Sequence, residues 1–336
     1  MWLCLAGELA GPRAHRQEGR RLPTREILHV AFSIANPIER WTQSRRPAIN
    51  PAFALAEVVW ILNGHSDAGF PNYWNSQLAK FAGECNTYHG AYGRRLRGHF
   101  GVDQLRRAAL ALRANPNGRQ IVLQIWDPRV DLPNEDGSPM DSDIPCNVTS
   151  LLKVRDGKLD WVQVMRSNDL FLGLPYNLIQ FTTLQEVLAG WIGVQVGEYH
   201  HISDSLHIYE DHLPHVRAAL DSGRVETPAN SASVSLGMEA SINALQTLDV
   251  AARELTRTSL DRTRLWALIK DLRVPGDFAN WFLILAAEAA RRRGWLDVQN
   301  QVASLCSNPV LTSAWSAWTV RISVPAQNLV SAATGE

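Results

Sequence analysis

The stretch "NVTSLLKVRDGKLDWVQVMRS", Asn147 to Ser167, constrains the fold more than any other. Two runs that read as strands are joined by Arg155-Asp156-Gly157-Lys158. Asp-Gly is a hairpin signal, because a tight two-residue turn needs positive φ at both central positions. An antiparallel pair of strands is therefore written into the middle of the chain. Just before it, the acidic, Gly- and Pro-containing loop "PNEDGSPMDSD" ends the preceding structure and leads to Pro145 and Cys146 at the mouth of the first strand. A thiol at a loop-to-strand junction is either a half-buried small hydrophobe or a group open to a cleft.

The rest of the chain supplies alternating strands and helices. "TREILHVAFSIANP" has strand character and stops at Asn36-Pro37. "NPAFALAEVVWILNG" reads as a helix, capped by Asn50, with Pro51 in its first turn and Gly64 at its end. "VDQLRRAALALRAN" is an amphipathic helix, and "RQIVLQIWD", Arg119 to Asp127, reads as a buried strand. "YNLIQFTTLQEVLAGW" is a mostly apolar helix, followed by a polar strand, "GEYHHISDSLHIY". Past about Pro228 the sequence turns helical and rich in Ala, Leu, Arg and Trp. The expected organisation is α+β: residues 1–22 as a loosely ordered leader, 23–228 as a catalytic domain, and 229–336 as a helical extension packed on it.

Composition narrows the classes. The chain has 336 residues, 46% of them apolar, enough for a full core. Lys+Arg and Asp+Glu are both 33, so no global field favours nucleic acid or an acidic membrane. Cys4, Cys85, Cys146 and Cys306 lie far apart, without metal-ligand or disulfide-framework spacing, which fits a reducing cytoplasm and no metal. The first residues lack a basic n-region and include Glu8, unlike a signal peptide. No apolar run is long enough for a membrane span.

Four features stand beside Cys146. "MRSNDLFLGLPYN" packs Arg166, Ser167, Asn168 and Asp169 before a Gly173-Leu174-Pro175 turn and a helix start containing Asn177. This is either a well-capped helix or a site for an anion and a flat hydrogen-bonding ring. Glu57 sits among apolar neighbours, so its carboxyl must be partnered or have a raised pKa. His207 and Tyr209, two apart on a strand, share a face that either holds a sugar hydroxyl or is simply wet. "TYHGAYGRRLR" is either a phosphate contact or a solvated basic face.

In this order, with "PC" at Pro145-Cys146, "RSNDLFLGLPYN" at Arg166 to Asn177 and "HIY" at His207 to Tyr209, the chain resembles the thymidylate synthase family from about Arg25 to Leu213. The resemblance implies a large bent sheet, mixed to mostly antiparallel, flanked by helices and paired as a homodimer. It implies Cys146 as the nucleophile toward C6 of a pyrimidine nucleoside monophosphate, with Arg166 favouring the thiolate. Arg166 and Ser167 would hold phosphate, and Arg119 would reach the other subunit's site. Glu57 would move protons, and Asn168 and Asn177 would contact the nucleotide, Asn177 reading the base. His207 and Tyr209 would hold the ribose 3′-hydroxyl. Trp74, Asp169 and Gly173 would face the folate, 5,10-methylenetetrahydrofolate. Arg25 would be a mobile phosphate ligand.

The departures favour one branch. Asn147 stands where the family commonly has His, Arg119-Gln120 where it has two arginines, and "VSAATGE" where it has a short apolar closing tail. Less protection from water points to C5 hydroxymethylation, and Asn177 points to dUMP. The alternatives are thymidylate synthase, a CMP or dCMP hydroxymethylase, and an inactive nucleotide-binding relative.

Overall fold

The computed structural model describes residues 1–19, 22–230 and 233–323. Among these, seven strands form one sheet: β1 (His15–Gln17), β2 (Thr24–Ile34), β3 (Val122–Gln124), β4 (Asn147–Arg155), β5 (Lys158–Met165), β6 (Asn168–Asp169) and β7 (Gln195–Tyr209). The order is β1-β2-β7-β5-β4-β3, and β6 pairs with β7 beside this path. The β4–β5 hairpin forms as expected, with Asp156 at φ 48° and Gly157 at φ 70°. Pairing of β5 and β6 with β7 is parallel and the rest antiparallel, so the sheet is mixed.

Strand β7 is the spine. Its inner face lays Tyr199, His201 and Ser203 beside Trp161, Gln163 and Met165 of β5, all fully buried. The Leu174–Ile192 helix packs against this face, and the apolar Pro51–Leu62 helix packs on that helix in turn. Asn50 caps the Pro51–Leu62 helix through its Oδ1, 3.2 Å from the Phe53 amide. On the other face β3, β4, β5 and β7 present Val122, Leu151, Val162, Val164 and Ile202, with Val122 51% and Ile202 39% exposed. Among the described residues nothing covers that apolar face fully.

Two expectations are corrected. The leader is not loosely ordered over its first seventeen residues: Trp2–Ala10 is a helix with Trp2, Ala6 and Leu9 buried, and His15–Gln17 adds a strand to the sheet edge. The Trp2 indole donates to the Leu170 carbonyl at 2.9 Å, so a large aromatic pins this segment to the loop before the Leu174–Ile192 helix. The buried strand expected over Arg119–Asp127 shrinks to Val122–Gln124, because β3 is an edge strand and its outward residue stays wet.

From Met238 the chain is helical to Ser323 apart from short connections. Ionic contacts fix this part to the sheet domain. Arg253 bridges Asp67 and Asp249, while His65 also meets Asp249, at 2.9 Å. Arg292 donates to the Trp74 carbonyl at 2.7 Å, and Arg321 to the Ala48 carbonyl at 2.5 Å. The closing-tail residues considered above lie outside the described residues.

Candidate active site

The site is built where β4, β5 and β6 end together. Cys146 immediately precedes β4, and its carbonyl accepts from the Arg166 amide at 2.9 Å. The Arg166 guanidinium folds back over the same loop, donating from Nε to the Pro145 carbonyl at 2.9 Å and from Nη2 to that of Ile144 at 3.0 Å. It also lies over the Trp126 ring, 5.3 Å from its centre. Sequence neighbours of the thiol are thus held by the arginine expected to bind phosphate beside it.

The thiol itself sits above its ordinary pKa. Burial is the largest cause and Arg166 opposes it, while Asp143 and Asp169 add to the rise. The expectation that Arg166 favours the thiolate holds in sign, but burial outweighs it. Tyr92 shares the space: its phenol, pushed up by burial, feels both Cys146 and Glu57 and lies beside the Asn147 amide. The "GAYG" turn was read as a phosphate contact or a wet face. Here Gly93 and Arg95 are buried, Arg95 pairing with Asp131 at 2.9 Å, while Arg94 is exposed.

Glu57 is the one residue of its helix that is not fully buried as a whole, yet its Oε2 is sealed from solvent with no hydrogen-bond partner. Burial raises its carboxyl from 4.5 to about 7, only partly offset by the Gln180 amide. Asp143, which accepts from the Gly90 amide at 2.8 Å, is likewise raised, to about 6, mainly by burial. Its place three residues before the thiol was visible in the sequence, but nothing there showed that the loop would turn the carboxyl inward.

Amides form the floor. Asn177 donates from Nδ2 to Asn168 Oδ1 at 3.3 Å, and Asn168 contacts His201 Nε2 at 3.0 Å and Ser203 Oγ at 3.1 Å. Asn168 therefore faces the sheet interior and supports Asn177 from beneath. His201 is neutral there, since burial pulls it down to about 3. Gly173 lies against this floor, where a Cβ would make ordinary van der Waals contact with Asn177 Nδ2, at 3.4 Å.

Asp169 accepts from the Phe171 and Leu172 amides at 2.7 and 2.6 Å through Oδ1, while its buried Oδ2 has no hydrogen-bond partner. His207 Nε2 stands 3.9 Å from that Oδ2, and Tyr209 meets His207 edge to face. Burial raises the Asp169 carboxyl, and His207 counters it. Ser167 is half-buried beside Arg166.

Three expected residues stand apart. Trp74 is wholly enclosed, edge to face with Phe70 and Tyr73, and its indole nitrogen has no partner. Arg25 donates to the Gly11 and Ala14 carbonyls at 2.6 and 3.3 Å. It pairs with Ile208, so it lies on the sheet face opposite His207 and is tied to the N-terminal segment rather than free to swing. Arg119 is exposed ahead of β3, away from the cluster within one subunit.

A thiol beside an arginine, a carboxyl raised to about 7 that shares the Tyr92 phenol as neighbour, and a floor of amides are groups that suit an anionic ligand carrying a planar ring. The thymidylate synthase family model matches residues 42–257, and the chain belongs to that family. It is 39% identical over 216 residues to a deoxyuridylate hydroxymethyltransferase of Bacillus phage SP01, covering 61% of this chain and 54% of the relative. A second deoxyuridylate hydroxymethyltransferase, of Pseudomonas phage M6, is 36% identical over 174 residues, 51% of this chain and 48% of the relative. A thymidylate synthase of Francisella philomiragia is 29% identical over 184 residues, 51% of this chain and 66% of the relative. The chain thus spans about half the length of the two phage relatives.

Proposed function

We propose that this chain catalyses folate-dependent hydroxymethylation at C5 of a pyrimidine nucleoside monophosphate, dUMP in the first place. The observation that carries the reading is Cys146 beside Arg166, with Glu57, raised to about 7, near the same Tyr92 phenol that Cys146 approaches. The Cys146 sulfur bonds to C6 of the ring, and the electron pair of the C5–C6 double bond moves toward C5 and O4. C5 thereby becomes nucleophilic. Arg166 and Ser167 bind the phosphate, and phosphate charge beside Arg166 frees the guanidinium from the carbonyls it now holds. Glu57, able to lose or hold a proton near neutrality, serves the proton that must leave C5.

Methylenetetrahydrofolate supplies the one-carbon unit when bound. The residues suit such a ring in part: Asp169 carries a buried carboxylate oxygen in want of a donor. Water, rather than hydride, then completes the product, in keeping with the names of the two phage relatives. The uncovered apolar sheet face supports a homodimer, in which exposed Arg119 reaches the partner's phosphate site. A reducing cytoplasm suits the free cysteines.

The test is product analysis with dUMP and methylenetetrahydrofolate. A product heavier by one hydroxymethyl group, without dihydrofolate, is expected. Stoichiometric dihydrofolate with dTMP would move the chain to the thymidylate synthase reading.

A further inference from the structure

Two carboxyls, not one, are held in unusual settings beside the thiol. Glu57 serves the C5 proton; Asp143 is not used by that step. Asp143 stands three residues before Cys146 on the loop that carries it. That loop is a fixed turn: the Asp143 amide donates to Asp141 Oδ1 at 2.9 Å, and the Ser142 hydroxyl to the Ala82 carbonyl at 2.7 Å. The side chain is aimed by the Gly90 amide, which donates to Asp143 Oδ2 at 2.8 Å. Among the described residues no cation bridges this carboxyl. His89 and Arg95 act on it only through space, and Asp141 opposes them. Its other oxygen has no donor and is not sealed, since the residue is only half-buried, so water can reach it. The Tyr92 phenol locates the group: the charges of Cys146, Asp143 and Glu57 all bear on it, and Asp143 also bears on the sulfur itself. Burial lifts Asp143 to about 6. It is therefore ionised at neutral pH, yet a stronger base than an ordinary aspartate.

We propose that Asp143 is a further catalytic residue, the general base for the water that completes the hydroxymethyl product. The proposal rests on the hydroxymethylation reading above and deepens it. Two protons must leave during the reaction, one from C5 and one from the attacking water. Glu57 takes the first, and a carboxyl that holds a proton cannot take another. Once the exocyclic methylene has formed, the Cys146 sulfur is still bonded to C6, so it cannot take the second. The water oxygen bonds to the methylene carbon and its proton passes to Asp143. The electron pair of the C5–methylene double bond moves to C5 and O4. Its return closes the C5–C6 double bond and expels the Cys146 thiolate, and Asp143 then gives its proton to solvent. No oxidant or reductant enters this step. Hydride transfer to the same methylene would release no proton, so a base here serves the water branch alone. Carboxyl and sulfur share one short loop, which keeps the base beside the adduct.

The experiment follows a single turnover of dUMP tritiated at C5, with methylenetetrahydrofolate and the full chain. Tritium release reads the steps up to the methylene, and the hydroxymethyl nucleotide reads the last one. In the unaltered chain the two are expected to keep pace. Asp143→Asn keeps an oxygen for the Gly90 amide but cannot take a proton. Its product formation should fall about a hundredfold, while tritium release stays close to the unaltered rate. 2-Mercaptoethanol, which attacks as a thiolate and needs no base, should then trap the methylene of the variant as a thioether. Should Asp143→Asn not fold, Asp143→Ala is assayed with added formate, which supplies a carboxylate in the vacated space and should restore product. Unchanged product formation in Asp143→Asn, or tritium release that falls as far as product in the folded variant, overturns the proposal and leaves the nucleotide reading standing. So does an Asp143→Ala chain that formate does not help, where that variant is the one used. An unaltered chain that releases no tritium, or that yields dTMP with dihydrofolate, overturns the hydroxymethylation reading and the proposal with it.

Discussion

Glu57 makes the sharpest statement about single residues. A carboxyl raised from 4.5 to about 7 by burial binds its proton more tightly when folded than when unfolded. Its favourable contribution is therefore complete below pH 4.5 and is lost as pH rises through 7, a swing of about 3 kcal/mol. Glu57→Gln should flatten that fall in unfolding free energy between pH 4.5 and 8, measured by urea denaturation. The same variant should lose about a hundredfold or more in turnover, since it cannot exchange a proton. Parallel stability profiles for the two proteins would show that the carboxyl ionises freely. The thiol offers a second measurement. Arg166 lowers the Cys146 pKa and Asp143 raises it, so Arg166→Met should slow alkylation of Cys146 by iodoacetamide at pH 8 and Asp143→Asn should speed it. Peptide mass spectrometry must follow the site, because Cys4 and Cys85 are exposed. Equal rates in all three proteins would mean the two charges do not govern the sulfur.

At the scale of elements, two loops must stay in register for the thiol to be placed. The turn at Gly90 runs against the loop that ends in Cys146. A Cβ on Gly90 would meet the Asp143 carbonyl at 2.7 Å and the Pro145 nitrogen at 3.1 Å, both backbone, so no side-chain rotation relieves it. Gly90→Ala should cost most of the turnover while the protein remains folded by circular dichroism; full activity would show that the loop yields. The helical extension is held by a different kind of contact. Glu288 is fully buried and binds Arg291, Arg292 and the Trp318 indole, and Arg292 reaches on to Trp74. Glu288→Ala leaves two cations without their anion and should destabilise the chain by about 3 kcal/mol, read as a lowered denaturation midpoint. Much of this level was legible in advance. Asp156-Gly157, the Asn50 cap and the Gly173-Leu174-Pro175 helix start are local signals, and local chemistry decides them. Glu57 was equally legible, because a lone carboxyl on an apolar helix has few options. The Trp2 anchor, the inward turn of Asn168 and the tethering of Arg25 were not. Each depends on which distant backbone arrives beside it, and no spacing along the chain records that.

The whole molecule poses the question of how many chains make one site. Within a single subunit the proposed phosphate region holds Arg166 and Ser167, while Arg25 is occupied with backbone carbonyls and Arg119 stands exposed ahead of an edge strand. One face of the sheet presents Val122, Leu151, Val162 and Ile202, which the described residues leave partly exposed. A two-fold pairing through that face would bury the apolar row and carry each Arg119 toward the other subunit. The two sides of the idea can be separated. Ile202→Asp puts a charge in the row and should give monomers by sedimentation together with lost turnover. Arg119→Ala should remain dimeric and bind nucleotide weakly. If sites are shared, co-expressed Arg119→Ala and Cys146→Ala chains form mixed dimers in which one site draws an intact arginine and an intact thiol from different chains. Random pairing then restores about a quarter of the unaltered activity from two inactive parents. A co-expressed mixture as inactive as its parents would place the whole phosphate site within one chain, and the open face would need another partner.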